Sequence, residues 1–394
     1  MGSPVLDLTA ELVAIDSQNP GVGEKRLAWF VADYAKERGL PAKVVETAPG
    51  RCNVLVTVDA GAGPHLALSG HLDTKPIGEA LDEWRTPPLE LTVDGGLAYG
   101  LGSSDMKGAV AAILRAAETW SRTARGGRLS LLLTADEEAG SDHGAKALAA
   151  DGLVDADAIV ICEPSGVRDP WEALYVISRG ICCFEVVIRG RQGHSGLSER
   201  LPTSATVAAA RAVTALAGFT PSVVRPPSID CAPTVNPAVR MSGGVFYGVH
   251  PGDAVVATDI RLIPGMDRDL LDRELRALLA AALPDDVDWA IRYADGSLGW
   301  MPPVEIAPGH PVVTAAQAAC RDVLGAELPL GAYPGGTDAT HFTDLGGTPS
   351  VAALGPGWLS VAHGPNECVG VDQLDQAEEL YARLAHIYLD GAAE

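Results

Sequence analysis

The sequence predicts an α/β protein in which a domain built on a mostly parallel sheet is interrupted by a smaller inserted domain of the order β-α-β-β-α-β. The chain has 394 residues, which is longer than one hydrophobic core usually serves. Its first 178 residues alternate short apolar runs with segments of helical spacing, a pattern typical of open parallel sheets. The pattern changes after residue 178 and returns near residue 310. These changes predict two domains.

The first part of the chain supplies most of the predicted larger sheet. Apolar residues recur at helical spacing over Val5–Leu40, and this pattern stops near Gly39. Met106–Trp120 and Gly144–Ala150 are predicted to be helices. Short apolar runs bounded by Gly, Asp or Pro are typical of buried central strands. The runs of this kind are Val54–Val58, Leu66–Ser69, Leu129–Thr134 and Ala158–Ile161.

The middle of the chain predicts the inserted domain. Its expected elements, in order, are strand Ile181–Arg189, helix Leu201–Phe219, strands Val235–Tyr247 and Ala254–Ile263, helix Asp267–Ala282 and strand Val287–Ala294. This order forms a small four-stranded sheet with two helices on one face, as in ferredoxin-like folds.

The end of the chain returns to the first pattern. Its predicted elements are helix Pro311–Leu324, strand Ser350–Leu354 and helix Leu374–Leu389. We therefore expect residues 1–178 and 297–394 to form the larger domain, and residues 179–296 to form the inserted one.

Charge and composition exclude several classes of protein. The 29 Lys and Arg residues against 51 Asp and Glu residues give a net charge of −22, which repels nucleic acids. No apolar run approaches the ~20 residues of a membrane span, and the N-terminus lacks the basic-then-apolar pattern of a signal peptide. We expect a soluble, cytoplasmic protein that binds neither nucleic acid nor membrane.

Two kinds of chemistry have weak support. The stretch Gly100–Asp105 begins like a dinucleotide fingerprint, but Asp105 stands where the third glycine belongs and would repel a pyrophosphate. No G-x-S-x-G elbow is present, and the cysteines lie in apolar surroundings without a histidine at a telling spacing. Dinucleotide binding and nucleophilic catalysis are therefore both disfavoured.

A metal site has stronger support, because acidic residues and histidines follow the predicted strands. In open α/β sheets, ligands bind beyond the carboxyl ends of the strands, so these side chains should converge. Several carboxylates in one crevice need a compensating cation, and a pair of divalent metals is a known device for hydrolysis. The residues concerned are His71, Asp73, Asp105, Asp136, Glu137, Glu138, Glu163 and His363.

Each of these residues also has an ordinary structural interpretation. A single histidine at a strand end is usually solvated, Asp136–Glu138 alone would be a charged turn, and Asp105 is a natural helix N-cap. These interpretations weaken when taken jointly, because ligand-type residues follow every one of the strand ends considered.

Eight motifs in order give the chain its family resemblance. They are Ser69–Thr74, Tyr99–Gly108, Asp136–Glu138, Cys162–Pro164, Gly193–Ser195, Asp259–Arg261, Gly335–Asp338 and His363–Glu367. With these motifs the chain resembles the M20 metallopeptidase family, which includes amino-acid deacylases and peptidases. The resemblance covers nearly the whole chain, the inserted domain included.

The resemblance implies a dizinc centre in which Asp105 bridges two Zn²⁺ ions, for which Co²⁺ or Mn²⁺ could substitute. His71 and Glu163 would complete one ion, and Glu138 and His363 the other. Glu137 would be the general base, and Asp73 would orient His71 through the second ring nitrogen. The Asp105–Met106 peptide bond is expected to be cis.

The resemblance also assigns roles to the inserted domain, which it implies is a lid and the interface of a homodimer. His194 would reach the site of the partner subunit, and Arg261 would bind a substrate carboxylate. Further substrate contacts are expected from Asn236, Gly336 and Thr337. The chain departs from the family pattern at Leu101, where Arg is usual, and at Gly248, where Asn is usual.

We expect a dizinc amidohydrolase that removes the acyl group of an N-acyl amino acid. A dipeptidase, carboxypeptidase or aminopeptidase of the same fold is the alternative within enzymes. A non-catalytic scaffold is the alternative outside them, and it would be marked by loss of Glu137 or of a metal ligand, which the sequence does not show.

Overall fold

A computed structural model describes residues 2–390 of the chain. Its α-helices within that range are α1 (Pro4–Val13), α2 (Lys25–Glu37), α3 (Lys107–Thr123), α4 (Ala145–Ala150), α5 (Ala205–Ala217), α6 (Arg268–Ala282), α7 (Pro311–Leu324), α8 (Ala339–Asp344) and α9 (Val371–Ala385). The strands up to residue 178 are β1 (Ala42–Ala48), β2 (Arg51–Asp59), β3 (His65–His71), β4 (Thr92–Asp94), β5 (Leu97–Tyr99), β6 (Arg128–Thr134), β7 (Ala158–Ile161), β8 (Pro164–Gly166) and β9 (Leu174–Ser178). The later strands are β10 (Gly180–Arg189), β11 (Gly193–His194), β12 (Thr234–Gly243), β13 (Val249–His250), β14 (Asp253–Leu262), β15 (Asp288–Tyr293), β16 (Val304–Glu305), β17 (Leu330–Tyr333), β18 (Ser350–Val351), β19 (Gly355–Trp358) and β20 (Cys368–Gly370).

The chain divides into two compact units. One joins the chain up to Ser178 with the chain from Glu305, and we call it the discontinuous unit. The other is Arg179–Val304, the inserted unit. It extends past residue 296 because Met301 and Ile181 exchange backbone hydrogen bonds of 2.9 and 3.0 Å. The segment after β15 is thereby fixed to the first strand of the inserted unit.

The discontinuous unit is built on a six-stranded mixed sheet of order β1-β2-β6-β3-β7-β18 among the described strands. β3 is parallel to both β6 and β7, and β18 is parallel to β7. The β1–β2 and β2–β6 pairs are antiparallel, so the sheet is less uniformly parallel than the sequence predicts. β1 is not predicted from the sequence, because its residues are all half-buried or exposed and form no apolar run.

The centre of this sheet is completely covered. Every residue of β3 and β7 is buried, which explains why both read as continuous apolar runs. α3 contacts α1 and α9, and its buried positions are mostly alanine and other small or aliphatic residues. Parallel strands held rigidly in this way fix the positions of the loops at their carboxyl ends.

The single long helical pattern predicted over Val5–Leu40 is wrong in one respect. Two helices, α1 and α2, form there, separated by a loop that contains a cis Asn19–Pro20 peptide bond. Proline lacks the backbone N–H and restricts the preceding residue, so a continuous helix cannot pass this point. None of the helices within residues 2–390 combines the length and the apolar character that crossing a bilayer requires.

The inserted unit has an antiparallel four-stranded sheet of order β12-β14-β10-β15. Along β14, fully buried residues alternate with more exposed ones, so one face of the sheet is apolar. Phe184, Val186 and Ile188 on this face pack in one cluster with Leu271 and Leu275 of α6, and alanines of α5 belong to the same cluster. The opposite face carries the charged residues Glu185, Asp259 and Arg261 among small apolar ones such as Val187 and Val255, and we call it the polar face.

Candidate metal centre

Three neighbouring parallel strands present ligand-type residues at one edge of the large sheet. His71 is the last residue of β3, Glu137 and Glu138 follow β6, and Glu163 follows β7. The carboxyl ends of parallel strands meet at the same edge, so register alone brings these side chains together. The two sets His71, Asp105, Glu138 and His71, Glu137, Glu163 each have ligand atoms within 4.8 Å of one another.

Asp105 lies between the two histidines of the site. Its Oδ1 is 2.9 Å from His71 Nε2, and its Oδ2 is 3.2 Å from His363 Nε2. The same His71 Nε2 lies 3.4 Å from Glu163 Oε1, and His363 Nε2 lies 3.1 Å from Glu138 Oε2. The five residues therefore form two clusters that share one carboxylate.

A buried carboxylate holds the loop that carries Asp105. Glu367 accepts hydrogen bonds from the backbone N–H groups of Gly102, Ser104 and Asp105 at 2.8 to 2.9 Å. Gly102 has φ of 76°, and a Cβ there would lie 2.6 Å from the Thr74 side chain, so glycine is required. The Asp105–Met106 peptide bond is cis, as expected from the resemblance.

Asp73 fixes the turn that follows β6. Its carboxylate accepts hydrogen bonds from the backbone N–H groups of Glu137 and Glu138, at 3.2 and 3.1 Å. His71 Nδ1 lies 2.9 Å from the backbone oxygen of Asp73 and 3.6 Å from its carboxylate. The contact with the His71 ring is therefore made by the Asp73 backbone, while the carboxylate positions the two glutamates.

A buried hydrogen-bond network beneath this turn is not predicted from the sequence. Asn19 donates to Asp73 Oδ2 at 2.8 Å and to Asp136 Oδ1 at 3.0 Å. Arg51 in turn donates to Asn19 at 2.8 Å and to the buried Glu24 at 2.9 Å. Single polar residues this far apart in the chain form no pattern from which the network could be predicted.

Crowding of carboxylates sets the electrostatics of the centre. Burial, and after it the Asp105 carboxylate, raise the pKa of Glu163 to about 7. Burial and the charge of Glu163 raise the pKa of Glu137 well above its usual range. Burial also acts to raise the pKa of Asp105, but hydrogen bonds from His363 and His71 outweigh it and hold that pKa below its usual value. Hydrogen bonds to Asp105 and Glu138 raise the pKa of His363 to about 10.

This charge distribution fits a metal. Protonated imidazoles balance part of the carboxylate charge, and a divalent cation would replace those protons at the same atoms. Nitrogen from histidine together with carboxylate oxygen is a donor set that Zn²⁺ accepts. Lys75 Nζ lies 3.1 Å from Glu138 Oε2 and adds a further positive charge at the rim.

The residues of the Gly335–Asp338 motif mainly form structural hydrogen bonds with their neighbours. Asp338 is buried and accepts hydrogen bonds from Thr134 at 2.6 Å and Ser141 at 2.5 Å, on both sides of the Glu137 turn. Thr337 is buried, and its N–H and hydroxyl both lie within hydrogen-bond distance of Ser178 Oγ. Gly336 is half-buried. Of the two predicted substrate contacts here, Gly336 is the more accessible.

The remaining predicted residues belong to the inserted unit. Asn236 donates to Asp259 Oδ1 at 2.8 Å, and Arg261 Nε lies 3.7 Å from the same oxygen. All three lie on the polar face of the sheet, and the Arg261 side chain is 35% exposed. His194 is exposed on β11, where its Nδ1 accepts the Gly196 N–H at 3.1 Å. The hydrogen bond within this turn therefore uses Nδ1 and not Nε2.

Comparison with known proteins gives one family. The model of peptidase family M20/M25/M40 matches residues 67–387. Succinyl-diaminopimelate desuccinylase of Xanthomonas campestris is 29% identical over 406 aligned positions, which cover 98% of each chain. The enzyme of the same name from Alkalilimnicola ehrlichii is 29% identical over 388 positions, covering 96% of this chain and 97% of the relative.

Solved structures show the same fold. An M20 family metallo-carboxypeptidase from Sulfolobus solfataricus superposes with a TM-score of 0.83 at 20% identity, covering 98% of this chain and 99% of the other. A tripeptidase from Staphylococcus aureus superposes with a TM-score of 0.77 at 21% identity, covering 98% of both chains. A dinuclear metal-binding peptidase from Bacillus subtilis gives 0.68 at 17% identity, again covering 98% of both.

Proposed function

We propose a substrate class and a mechanism from one established premise: the chain belongs to peptidase family M20/M25/M40 and is a metal-dependent hydrolase of C–N amide bonds. The proposed substrate is an N-acyl amino acid, from which the enzyme removes the acyl group. The observation that carries this choice is the likeness over 98% of the chain to desuccinylases. The cluster that Asp105 forms with four other ligand-type residues supports it.

The proposed cofactor is a pair of Zn²⁺ ions. His71 and Glu163 would hold one ion and Glu138 and His363 the other, with Asp105 shared between them. Ions bound there would lower the pKa of a water molecule and polarise the amide carbonyl. The two clusters on either side of Asp105 support two ions and not one.

Glu137 is the proposed general base. It would take a proton from the attacking water and later deliver it to the leaving amine. Its raised pKa suits a group that must both accept and return a proton near neutral pH. The Asp73 carboxylate supports this role by holding the Glu137 backbone N–H at 3.2 Å, which limits movement of the turn.

The inserted unit would recognise the substrate. Arg261 would bind the carboxylate of the amino acid, since its planar guanidinium matches a carboxylate with two hydrogen bonds. Asp259, which contacts both Arg261 and Asn236, supports a common role for these side chains. His194 would donate a hydrogen bond to the developing oxyanion of the partner subunit's substrate. That role requires a homodimer through the inserted unit, which would also act as a lid, and we place this homodimer in the cytoplasm.

A peptidase is the second candidate. It is favoured by the fold neighbours, which include a metallo-carboxypeptidase and a tripeptidase. A peptidase of this kind would hydrolyse free di- or tripeptides and leave N-acyl amino acids untouched.

The proposed function is tested by amine release from a panel of N-succinyl and N-acetyl amino acids and free dipeptides. The enzyme would be loaded with Zn²⁺, Co²⁺ or Mn²⁺, and its metal content measured before the assay. We expect hydrolysis of at least one N-acyl amino acid, loss of activity with a chelator and recovery on adding metal back. Cleavage of dipeptides alone would favour the second candidate. Full activity in metal-free protein would overturn the metal assignment.

A further inference from the structure

One buried hydroxyl near the metal centre has no assigned role. Tyr333 is the last residue of β17 and is 2% exposed. Its hydroxyl has no hydrogen-bond partner among residues 2–390. A buried polar group without a partner is costly, and native proteins seldom keep one without a reason. A phenylalanine would fill the same space without this cost.

The ring of Tyr333 is held firmly. It packs in an apolar cluster with Ala173, Tyr175 and Ala353. The Tyr175 ring meets it edge-on, with centroids 5.2 Å apart and planes at 73°. Because the ring is packed in this way, its hydroxyl has one fixed position. A hydrogen-bond acceptor must therefore bind at that position to contact it.

The hydroxyl also lies in the electrostatic field of the candidate metal centre. Burial raises the pKa of Tyr333 well above its usual value, and the charges of Glu163, Asp105 and Glu137 raise it further. β17 is parallel to β9, where Tyr333 is opposite Ser178, and it leads directly into the loop that carries Asp338. The phenol is therefore a neutral, preorganised hydrogen-bond donor that feels the charges of these three carboxylates, the proposed general base among them.

We propose that the Tyr333 hydroxyl donates a hydrogen bond to the scissile carbonyl oxygen of the substrate. This inference rests on the proposed function and adds a residue to it. The bond strengthens as the oxygen gains negative charge, so it stabilises the transition state more than the bound substrate. The phenol keeps its proton throughout, and the proton of the attacking water still passes through Glu137 to the leaving amine.

The test is the Tyr333→Phe variant, which removes only the hydroxyl. We expect kcat to fall by roughly 10²–10³-fold, as for the loss of one oxyanion donor, with KM little changed. Binding of a phosphinic analogue of the tetrahedral species should weaken by the same factor, while binding of the product amino acid stays as it is. Metal content should be unchanged, and the melting temperature should be equal or higher because a buried unpartnered group is gone.

Tyr381 gives a matched control, because it is equally buried but its hydroxyl donates to the Leu354 backbone oxygen at 2.8 Å. Tyr381→Phe should lower the melting temperature and leave kcat within a few-fold of wild type. Unchanged kcat in Tyr333→Phe would overturn the inference, as would a loss of activity accompanied by loss of metal or a lower melting temperature. Wild-type protein that cleaves no amide in the panel would instead refute the proposed function itself.

Discussion

The candidate metal centre and the polar face of the inserted unit differ in how their side chains are held. At the metal centre, buried carboxylates such as Asp73 and Glu367 accept several backbone N–H bonds, so loop and ligand are fixed together. On the inserted unit, Arg261 has one carboxylate at 3.7 Å and stays one-third exposed. The side chains of the first region are therefore held in fixed positions, whereas Arg261 in the second region can change position when a ligand binds.

The largest expected effect follows from changing the proposed general base at the candidate metal centre. Glu137→Gln should keep both metals and lower kcat by about 10²–10⁴-fold, since a glutamine cannot transfer the proton. Metal analysis and steady-state kinetics on the N-acyl substrate would measure this. Glu138→Gln is the control and should lose metal. If Glu137→Gln loses metal and Glu138→Gln does not, the two roles are reversed.

The next effect tests the inserted unit across a proposed dimer. His194→Ala should lower kcat by roughly 10²–10³-fold, as for an oxyanion donor. Mixing it with Glu137→Gln under subunit exchange should restore part of the activity, because one of the two sites in a mixed dimer holds both groups. Activity and mass of the mixed species would be measured together. Mixed dimers without activity would place His194 in the site of its own subunit or outside the reaction.

A smaller effect is expected for the adaptable side chain. Arg261→Ala should cost about 1.5–3 kcal/mol in kcat/KM, the usual range for a hydrogen bond to a charged group. Arg261→Lys should restore little of the lost kcat/KM, because lysine lacks the planar guanidinium group. A substrate whose carboxylate is amidated should be hydrolysed equally poorly by the wild-type enzyme and by Arg261→Ala. An equal proportional loss on the acid and the amide would show that Arg261 supports the fold of the inserted unit.

The smallest expected effect concerns the support of Asp105. Glu367→Gln leaves one acceptor oxygen where two now serve three N–H groups, and should weaken metal binding by about 10–100-fold. Competition with a chromogenic chelator would measure the affinity. Glu379→Gln, on the exposed face of α9, is the control. Equal affinity in both variants would show that the Asp105 loop keeps its shape without Glu367.

The elements that could be predicted from the sequence are those that short-range patterns encode. β3, β6 and β7 appear as apolar runs because they are buried on both faces, and ligand-type residues directly follow them. The half-exposed β1 has no such run. The Asn19 and Arg51 network joins residues by single long-range contacts, which a pattern in one sequence cannot reveal.

The order of the five proposed metal ligands along the chain has a consequence for synthesis. Four of them come before the inserted unit, and only His363 comes after it. Because the chain is synthesised from its N-terminus, the whole inserted unit is translated before His363. The His363 imidazole is the group that contacts both Asp105 and Glu138. We expect the nascent protein to bind the second of the proposed metal ions only after the inserted unit has been translated. Binding of this ion would therefore be a late step in the formation of the site.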